Sequence, residues 1–368
     1  MPRGRGSSCP IVSGEVVPDP TPLRVAVVGA GAFGRNHLRV FSELPGAQLV
    51  AVVDRDPAIA AAAGERYGIP SFSSVEDLVD ADLMLDAASI CVPTVHHLAA
   101  ARPLLATGVD LLIEKPLAPT LADADELIRL AAQYNRRVQT GHLERFNPAV
   151  IAARALIHRP MFFEAHRMSV FTPRSLDVDV VLDLMIHDLD VVLSLVDSPV
   201  HEVRAVGLAV LSPSVDIANV RLEFENGCVA NFTASRVSTE RIRKLRFFQP
   251  HQYLSLDFAR QDLLLIDVTA AAGLSMAELT ALIERNSKPE VSGEPKHPTA
   301  GLNMSKIPVA PGEPLRLELE SFLNAVRTRT TPMVDAKAGR KALQLGLEIN
   351  AAIAAHAYRA GLHPMGIE

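Results

Sequence analysis

Short apolar runs alternate with helical patterns over the first part of the chain, which indicates a layered α/β arrangement. Runs rich in Val, Ile and Leu are typical of strands buried on both faces of a parallel sheet. Predicted strands cover residues 24–28, 49–53, 88–92, 111–113 and 137–140, and predicted helices cover residues 38–44, 58–67, 74–78, 96–107 and 121–134. Strands and helices in regular alternation predict a doubly wound parallel sheet.

After Pro148 apolar residues alternate with polar ones, which is the pattern of strands with one solvated face. Predicted strands cover residues 161–168, 202–210, 216–225, 228–235 and 243–248, and a predicted hairpin covers residues 253–258 and 262–266. Asn226-Gly227 is a hairpin turn signal. Predicted helices cover residues 149–157, 180–195, 314–327 and 336–360. This part of the chain is therefore predicted to be an α+β domain with an open, mainly antiparallel sheet.

The change of pattern gives the domain organisation of the 368 residues. Residues 1–22 are rich in Pro, Gly and Ser and are predicted to be a disordered tail. Residues 23–145 form the first domain. Residues 146–368 form the second, to which we assign substrate binding and assembly into a homodimer or homotetramer, since an open sheet face otherwise exposes apolar surface. Residues 286–314 are interpreted as a long mobile loop, either a lid or a connection.

Composition disfavours several classes of protein. Hydrophobic residues make up 48% and charged residues 21% of the chain, as expected of a soluble protein with a large core. The net charge of −6 disfavours a nucleic-acid partner. No apolar run approaches the ~20 residues of a membrane span and no signal-peptide core is visible, so a cytoplasmic location without a membrane partner is expected. The three cysteines are far apart, which predicts free thiols.

A glycine motif follows the first predicted strand. Gly29, Gly31 and Gly34 give the spacing G-x-G-x-x-G between strand and helix. This spacing allows a tight turn, close approach of a pyrophosphate to the helix N-terminus, and close packing of helix on strand. Asp54 ends the next strand, where a carboxylate accepts hydrogen bonds from a ribose diol and repels a 2′-phosphate. The first domain is therefore predicted to be a Rossmann domain that binds NAD rather than NADP, although Arg55 could soften that preference.

Lys115 is the first candidate for chemistry. It ends a predicted strand on the cofactor side of the sheet, and Pro116 restricts its backbone to extended conformations. A lysine ammonium can polarise a carbonyl or stabilise an alkoxide. The alternative is an ordinary surface lysine in a loop.

Asp183 and His187 are the second candidates. They are four residues apart in an apolar helix, so they are expected to share one face of it. A buried carboxylate can orient an imidazole and raise its basicity, which suits general acid/base chemistry. The alternative is a hydrogen-bonded pair in the core. With His142 and Asp188 they are conceivable metal ligands, but no compact ligand motif is present and no metal is expected.

Basic residues form a third group. Arg145 follows the last predicted strand of the first domain, and Arg167 and Arg174 flank a strand of the second. Further basic residues surround one antiparallel segment, namely Arg236, Arg241, Arg243, Lys244 and Arg246. Because alternate strand positions face the same side, this cluster is split between two faces. One face could hold a phosphate or diphosphate; a solvated sheet edge or a subunit contact is the equal alternative.

With these motifs, residues 23–360 resemble the Gfo/Idh/MocA oxidoreductase family. The resemblance implies a Rossmann domain followed by an open mixed sheet, use of NAD or NADP, and reversible oxidation of a sugar or cyclitol hydroxyl. It is carried by Gly29-Ala30-Gly31-Ala32-Phe33-Gly34, by Pro93 with His97, by Glu114-Lys115-Pro116, and by Asp183 with His187. Where the family has small residues before that Asp, this chain has Val180-Val181-Leu182, so the local backbone is expected to differ. The implied cofactor contacts are Gly29, Gly31, Ala32, Phe33, Gly34, Asp54, Arg55, Pro93, His97, Glu114 and Lys115.

Residues 141–148 and 183–188 also resemble the branch of that family that contains UDP-N-acetylglucosamine 3-dehydrogenases. That resemblance implies oxidation of the sugar C3 hydroxyl on the way to the 2,3-diamino sugars of lipid A. The candidate substrate contacts are Lys115, Arg145, Asn147, Arg167, Asp183, His187 and Arg236.

The resulting hypothesis assigns a role to each catalytic candidate. His187 removes the hydroxyl proton, Lys115 stabilises the oxyanion, and Asp183 orients His187. Lys115 is the alternative base, with His187 then binding substrate. Two other functions remain open: a free-sugar or inositol dehydrogenase, and a non-catalytic NAD-binding sensor.

Overall fold

The computed structural model describes most of the chain, with gaps. The described residues are 21–171, 178–268, 274–278, 280–281 and 303–362. Nearly all of the predicted disordered tail, Arg174, and the greater part of the predicted loop at 286–314 lie outside them. Among the described helices none is long and apolar enough to cross a bilayer.

A six-stranded parallel sheet forms the first domain, as predicted. Its strands are β1 (Leu23–Val28), β2 (Ala47–Val53), β3 (Ser71–Phe72), β4 (Ala87–Ile90), β5 (Asp110–Glu114) and β6 (Val138–Gly141). Their spatial order is β3-β2-β1-β4-β5-β6. The strand order reverses between β1 and β4, and in such sheets a ligand binds beyond the carboxyl ends of the strands at this point. The short strand β3 was not predicted from the sequence.

The helices of this domain agree with the apolar periodicity. They are α1 (Gly34–Glu43), α2 (Pro57–Tyr67), α3 (Val75–Asp80), α4 (His97–Ala106) and α5 (Leu121–Gln133). Asp56, Ser74 and Thr120 cap α2, α3 and α5 by accepting hydrogen bonds from backbone N–H groups of the first turn.

An eight-stranded sheet forms the second domain. Its strands are β7 (Phe162–Val170), β8 (Val200–Leu208), β9 (Ile217–Phe224), β10 (Val229–Ser238), β11 (Ile242–Gln249), β12 (Gln252–Asp257), β13 (Asp262–Asp267) and β14 (Asn303–Ile307). Their order is β14-β13-β12-β11-β7-β10-β9-β8. Only the β7–β10 pair is parallel, so the prediction of a mainly antiparallel sheet is confirmed. The loop predicted for 286–314 is wrong at its end, because residues 303–307 pair with β13 as an edge strand.

One face of this sheet is covered, and the described residues leave the other face open. Along β7, Phe163, Ala165 and Arg167 are buried, whereas Phe162 and Glu164 on the opposite face are only partly buried. The covered face packs against α6 (Pro148–Arg154), a π-helical turn (Val181–Met185) and α7 (Ile186–Leu195).

The last two helices return to the first domain. They are α8 (Pro314–Thr328) and α9 (Ala336–Arg359). Leu319 and Phe322 of α8 pack against the parallel sheet, together with Phe41 of α1. Leu343 of α9 packs in the core of the first domain and Ile349 in that of the second. The assignment of all residues after 145 to the second domain is therefore wrong for α8, whose apolar stripe covers a face of the parallel sheet.

The turn between β1 and α1 has no room for side chains at two of its glycines. A Cβ on Gly34 would lie 1.8 Å from the carbonyl oxygen of Gly29, and Gly29 itself has a φ of +95°. By contrast, a Cβ on Gly31 would meet no atom within 4 Å. Gly31 therefore borders open space, as the approach of a pyrophosphate requires.

Replacing these glycines separates folding from cofactor binding. Gly34→Ala is expected to lower the free energy of unfolding by about 1–3 kcal/mol, because the added Cβ overlaps the Gly29 carbonyl. Gly31→Ala is expected to change stability by less than ~0.5 kcal/mol but to weaken NAD binding. Denaturant unfolding without cofactor and calorimetric titration with NAD measure the two effects. Equal stability of both variants would contradict this account of the turn.

Candidate active site

A cavity of about 540 Å³ lies at the carboxyl ends of β1, β2 and β4. It is lined by Gly29, Gly31, Asp54, Arg55 and Pro93, all of which were predicted cofactor contacts. Its size is that of an ordinary small-molecule site. Ala32 and Phe33 lie exposed between Gly31 and α1. The glycine turn after β1 and Asp54 after β2 thus border the same cavity, and the residues present fit a dinucleotide.

Asp54 has a structural role as well as a position on the cavity. One carboxylate oxygen accepts a hydrogen bond from the Ala30 N–H at 2.8 Å, and the other accepts one from the Asp56 N–H at 3.0 Å. Its charge is thereby fixed where a ribose is expected. Arg55 is exposed on the same lining.

His97 is buried and does not line the cavity, so its assignment as a cofactor contact is corrected. Its Nε2 lies 3.0 Å from the Val92 carbonyl oxygen and its Nδ1 lies 3.2 Å from that of Leu117. Burial lowers the pKa of His97, so the ring is neutral and donates to one of the two carbonyls. His97 therefore ties the segment after β4 to the segment after β5.

Glu114 is also directed inward rather than toward the cavity. Its carboxylate lies 3.1 Å from His37 Nε2 and accepts a hydrogen bond from the Lys115 N–H at 3.3 Å. Ser89 Oγ lies 2.7 Å from His37 Nδ1. Burial would lower the pKa of His37, but Cys91 and Glu114 raise it well above its ordinary value. Glu114 thus supports the backbone that carries Lys115.

Sequence reasoning missed His37. A fully buried histidine within the apolar stripe of α1, beside Leu38 and Phe41, was the available signal. Its partner Glu114 is distant in sequence, and only the fold brings the two together.

Lys115 and Asp183 meet between the two domains. Lys115 Nζ donates to the Asp183 carbonyl oxygen at 2.7 Å and lies 3.5 Å from its carboxylate. The Lys115 side chain is 19% exposed, so it is neither a free surface lysine nor a fully buried one. Two of the three predicted catalytic residues are therefore in direct contact.

Asp183 does not orient His187, contrary to the prediction. The structure gives no hydrogen bond between them within the described residues, because Val181–Met185 form a π-helical turn that changes the helical spacing. This is the local departure expected from Val180-Val181-Leu182. Leu182 fits because α9 has a glycine facing it: a Cβ on Gly346 would lie 2.7 Å from Leu182 Cδ2.

His187 is partly buried, with its two nitrogens in different surroundings. Nδ1 is buried and has no hydrogen-bond partner in the described part of the chain. Nε2 has no partner there either, but it is not buried. Burial lowers the pKa of His187 well below its ordinary value, and the charges of Lys115, Arg167, His142 and Arg243 lower it further. The ring is therefore neutral near pH 7 and able to accept a proton through Nε2.

Arg167 is part of a buried ion cluster rather than a substrate contact. It donates to both carboxylate oxygens of Asp188 at 2.8 Å and to Glu144 at 3.0 Å, and it is 4% exposed. The bidentate pair fixes the residue after His187. These carboxylates engage all three guanidinium nitrogens of a side chain that is nearly fully buried, so the predicted substrate role is corrected.

Arg145 and Asn147 are likewise internal. Arg145 donates to the carbonyl oxygens of Asp190 and Met333, and Asn147 donates to that of Phe258 at 3.0 Å. Asn147 also caps α6. Both are buried polar residues whose hydrogen bonds hold the junction of the domains, and we withdraw their assignment to substrate.

Arg236, near the end of β10, is also bound by groups of the protein itself. Its guanidinium donates to Asp216 at 2.7 Å, to the Val178 carbonyl oxygen at 2.7 Å and to Ser212 at 3.1 Å. Asp216 in turn accepts hydrogen bonds from three consecutive N–H groups, those of Val210, Leu211 and Ser212. Arg236 therefore secures this loop and is not available to a diphosphate.

The residues considered as metal ligands are not gathered into a site. Within the described ranges no three His, Cys, Asp or Glu side chains are arranged to hold a metal ion. Asp183 contacts Lys115 and Asp188 contacts Arg167. His142 is buried with both ring nitrogens unpartnered, and burial lowers its pKa.

Both parts of the chain match known protein families. Residues 23–142 match an oxidoreductase family with an NAD-binding Rossmann fold, and residues 149–248 match the GFO/IDH/MocA C-terminal domain.

Individual relatives differ in how much of the chain they match. UDP-N-acetylglucosamine 3-dehydrogenase of Acidithiobacillus ferrooxidans is 34% identical over 338 residues, which are 92% of this chain and 99% of that enzyme. A solved structure of that enzyme has a TM-score of 0.78 at 32% identity and covers 91% of this chain and 98% of its own. Inositol 2-dehydrogenase of Corynebacterium glutamicum is 33% identical over 191 residues, which are 50% of this chain and 56% of that enzyme. The first similarity runs through both sheets, and the second covers half of the chain.

Removing the charge of Lys115 tests the electrostatics of this site. In Lys115→Met the pKa of His187 is expected to rise, because the Lys115 ammonium is one of the charges that lower it. His187 then becomes protonated at a higher pH, and its titration by NMR with labelled histidine measures the shift. His97 is the internal control, since Lys115 is not among the groups that set its pKa. An unchanged pKa of His187 would mean that the Lys115 charge does not contribute to it.

Proposed function

This chain belongs to the Gfo/Idh/MocA oxidoreductase family, and on that premise we propose that it oxidises the C3 hydroxyl of UDP-N-acetylglucosamine with NAD. Membership makes it a dehydrogenase that acts on CH–OH groups. The observation that carries the proposal is the contact of Lys115 with Asp183, four residues before a neutral His187, at the carboxyl end of the parallel sheet, where the dinucleotide-sized cavity also lies. The choice of substrate is supported by the relative that matches over nearly the whole chain.

The cofactor preference is argued from Asp54. Its carboxylate is held at the cavity by the N–H groups of Ala30 and Asp56. A ribose diol can donate hydrogen bonds to it, whereas the 2′-phosphate of NADP meets its negative charge. Arg55 is exposed and can turn away from a bound ribose. These features favour NAD.

The proposed chemistry divides between two side chains. When bound, NAD supplies the acceptor for the electrons of the substrate C–H bond. His187 accepts the hydroxyl proton at Nε2, because the ring is neutral and this nitrogen is accessible. The Lys115 ammonium donates a hydrogen bond to the same oxygen and stabilises the charge that develops on it. Asp183 positions Lys115 through its carbonyl oxygen, at 2.7 Å from Nζ, and this replaces the earlier role of orienting His187.

This division of roles favours His187 over Lys115 as the base. Lys115 Nζ donates a hydrogen bond to the carbonyl oxygen of Asp183 and lies 3.5 Å from its carboxylate, so both neighbours are acceptors that suit a donor. A charged lysine can donate a hydrogen bond but cannot accept a proton. His187 has no such carboxylate partner among the described residues.

The product of this reaction is a 3-keto sugar nucleotide, whose carbonyl is a substrate for an aminotransferase. We therefore place the enzyme before amination in the synthesis of 2,3-diamino sugars such as those of lipid A. We also propose a homo-oligomer in the cytoplasm. Support for an oligomer comes from the open face of the second sheet, where Phe248 is 37% and Met304 41% exposed.

A free polyol such as inositol is the second candidate substrate. It is favoured by the similarity to inositol 2-dehydrogenase, which covers half of this chain. The two candidates share the cofactor cavity and the catalytic pair, so they differ only in what recognises the rest of the substrate.

A substrate panel distinguishes the candidates. With NAD, we expect NADH to form with UDP-N-acetylglucosamine and not with N-acetylglucosamine or myo-inositol, as followed by NADH absorbance. NADP is expected to be the poorer cofactor, because of Asp54. Turnover only with a free polyol would transfer the assignment to the second candidate. NAD binding without turnover of any sugar would favour a non-catalytic sensor.

Substitution of the catalytic pair tests the mechanism. His187→Asn and Lys115→Met are each expected to lower kcat by about 10²- to 10⁴-fold, the usual contribution of acid/base and oxyanion-stabilising groups. The affinity for NAD should change little, since neither residue lines the cavity at the carboxyl ends of β1, β2 and β4. His201→Asn, on an exposed strand position, is the control and should retain full activity. Retention of full kcat by His187→Asn would exclude His187 as the base.

A further inference from the structure

Strand β11 separates the basic residues around it into two groups. Arg243 pairs in register with Arg167 of β7, whereas Lys244 pairs with His166 and Arg246 with Glu164. Opposed residues of neighbouring strands share a face. Arg243 is therefore on the face that carries Arg167 and α7, and Lys244 and Arg246 are on the open face.

The charges of these arginines are not balanced in the same way. Arg167 is held by Asp188 and Glu144, and Arg246 lies 3.7 Å from Glu164. The described part of the chain gives the Arg243 guanidinium no hydrogen bond or ion pair, and the residue is exposed. Arg243 is thus a cation on the covered face of the sheet whose donors remain available to a ligand.

Arg243 also lies near His187. Arg167, its neighbour across the strands, donates to both carboxylate oxygens of Asp188, and Asp188 directly follows His187. The positive charge of Arg243 contributes to the low pKa of His187, after burial and the charges of Lys115, Arg167 and His142. The positive charges of Arg167 and Arg243 repel each other in the free protein. An anion bound to the exposed side of Arg243 would offset this repulsion.

We propose that Arg243 binds the phosphate attached to the sugar of a nucleotide-sugar substrate. The inference rests on the proposed function, because it presumes that the reacting sugar lies at Lys115 and His187. In such a substrate the phosphate is attached to C1 of the sugar and the reacting hydroxyl to C3. Only C2 separates these two ring carbons, so the two groups are close together. Arg243 is the cross-strand neighbour of Arg167, which holds Asp188 next to His187, and this places it on the side of the sheet where we expect that phosphate. Its planar fork can donate two hydrogen bonds to phosphate oxygens.

This role distinguishes a nucleotide sugar from a free polyol. A free polyol carries no anion for Arg243, so the residue is not needed for its binding. Arg236, which the sequence suggested for this purpose, is already occupied by Asp216 and Ser212. Of the basic residues on β11, Lys244 and Arg246 face away from the catalytic pair.

Kinetics of Arg243 variants test the proposal. Arg243→Ala is expected to raise the KM for UDP-N-acetylglucosamine by about 10- to 100-fold with kcat changed much less, as expected for loss of a hydrogen bond to a charged group. The KM of Arg243→Lys should fall between those of the wild type and Arg243→Ala, since lysine keeps the charge but loses the planar fork of the guanidinium. Because Arg243 has no partner among the described residues that its loss would leave unpaired, the melting temperature and the affinity for NAD should match those of the wild type.

The control is Arg246→Ala, on the same strand and the opposite face, which should leave KM unchanged. An equal rise of KM in that variant would overturn the proposal, because it would indicate a general effect of surface charge. An unchanged KM in Arg243→Ala would overturn it while leaving the proposed function intact.

Direct binding of UDP separates this proposal from the function on which it rests. Calorimetric titration of the NAD-loaded wild type with UDP should show binding, and Arg243→Ala should weaken it by a similar factor. If UDP-N-acetylglucosamine is not oxidised but UDP binds through Arg243, the substrate assignment fails and the anion site stands. UDP binding that is equal in both proteins would overturn the site.

Discussion

The contact of Lys115 with Asp183 is the point on which the arrangement of the active site depends. Lys115 follows a strand of the parallel sheet, and Asp183 lies in the π-helical turn of the second domain. Their 2.7 Å hydrogen bond joins the cofactor-binding half of the molecule to the half that carries His187. The position of the ammonium relative to the imidazole is therefore set by how the two domains pack.

Buried charged residues hold this junction in place. Arg167 with Asp188 and Glu144 fixes the start of α7, and His37 with Glu114 supports the strand end before Lys115. Buried ion pairs contribute little net stability because desolvation offsets their attraction, but loss of one partner is costly. Such clusters therefore act mainly to fix geometry. Glu318, near Glu114, has both carboxylate oxygens buried without a hydrogen-bond partner in the part of the chain that is described. Burial raises its pKa well above the ordinary value, so it is a neutral acid in the fold.

The sequence predicted the fold and half of the site. The periodicity of apolar residues is a local property, so most strands, most helices and the antiparallel character of the second sheet were predicted correctly. The glycine spacing and Asp54 are also local, and they meet at one cavity. Assignments that depended on distant partners were less accurate. Arg145, Arg167 and Arg236 were interpreted as substrate contacts, but each binds acceptors of the protein itself.

The sequence by itself determined the elements, the cofactor turn and the identity of the catalytic candidates, because these follow from spacing within a few turns or one strand. Only the tertiary structure decided which cations are neutralised and which remain available. An arginine has the same side chain whether it is buried against a carboxylate or exposed to a ligand. That difference is set by residues far apart in sequence, as in the pairing of Arg236 with Asp216 and the exposure of Arg243. The contact of Asp183 with Lys115 was likewise decided by the tertiary structure. It depends on the π-helical turn at Val181–Met185, and helical spacing alone does not specify such a local change of pitch.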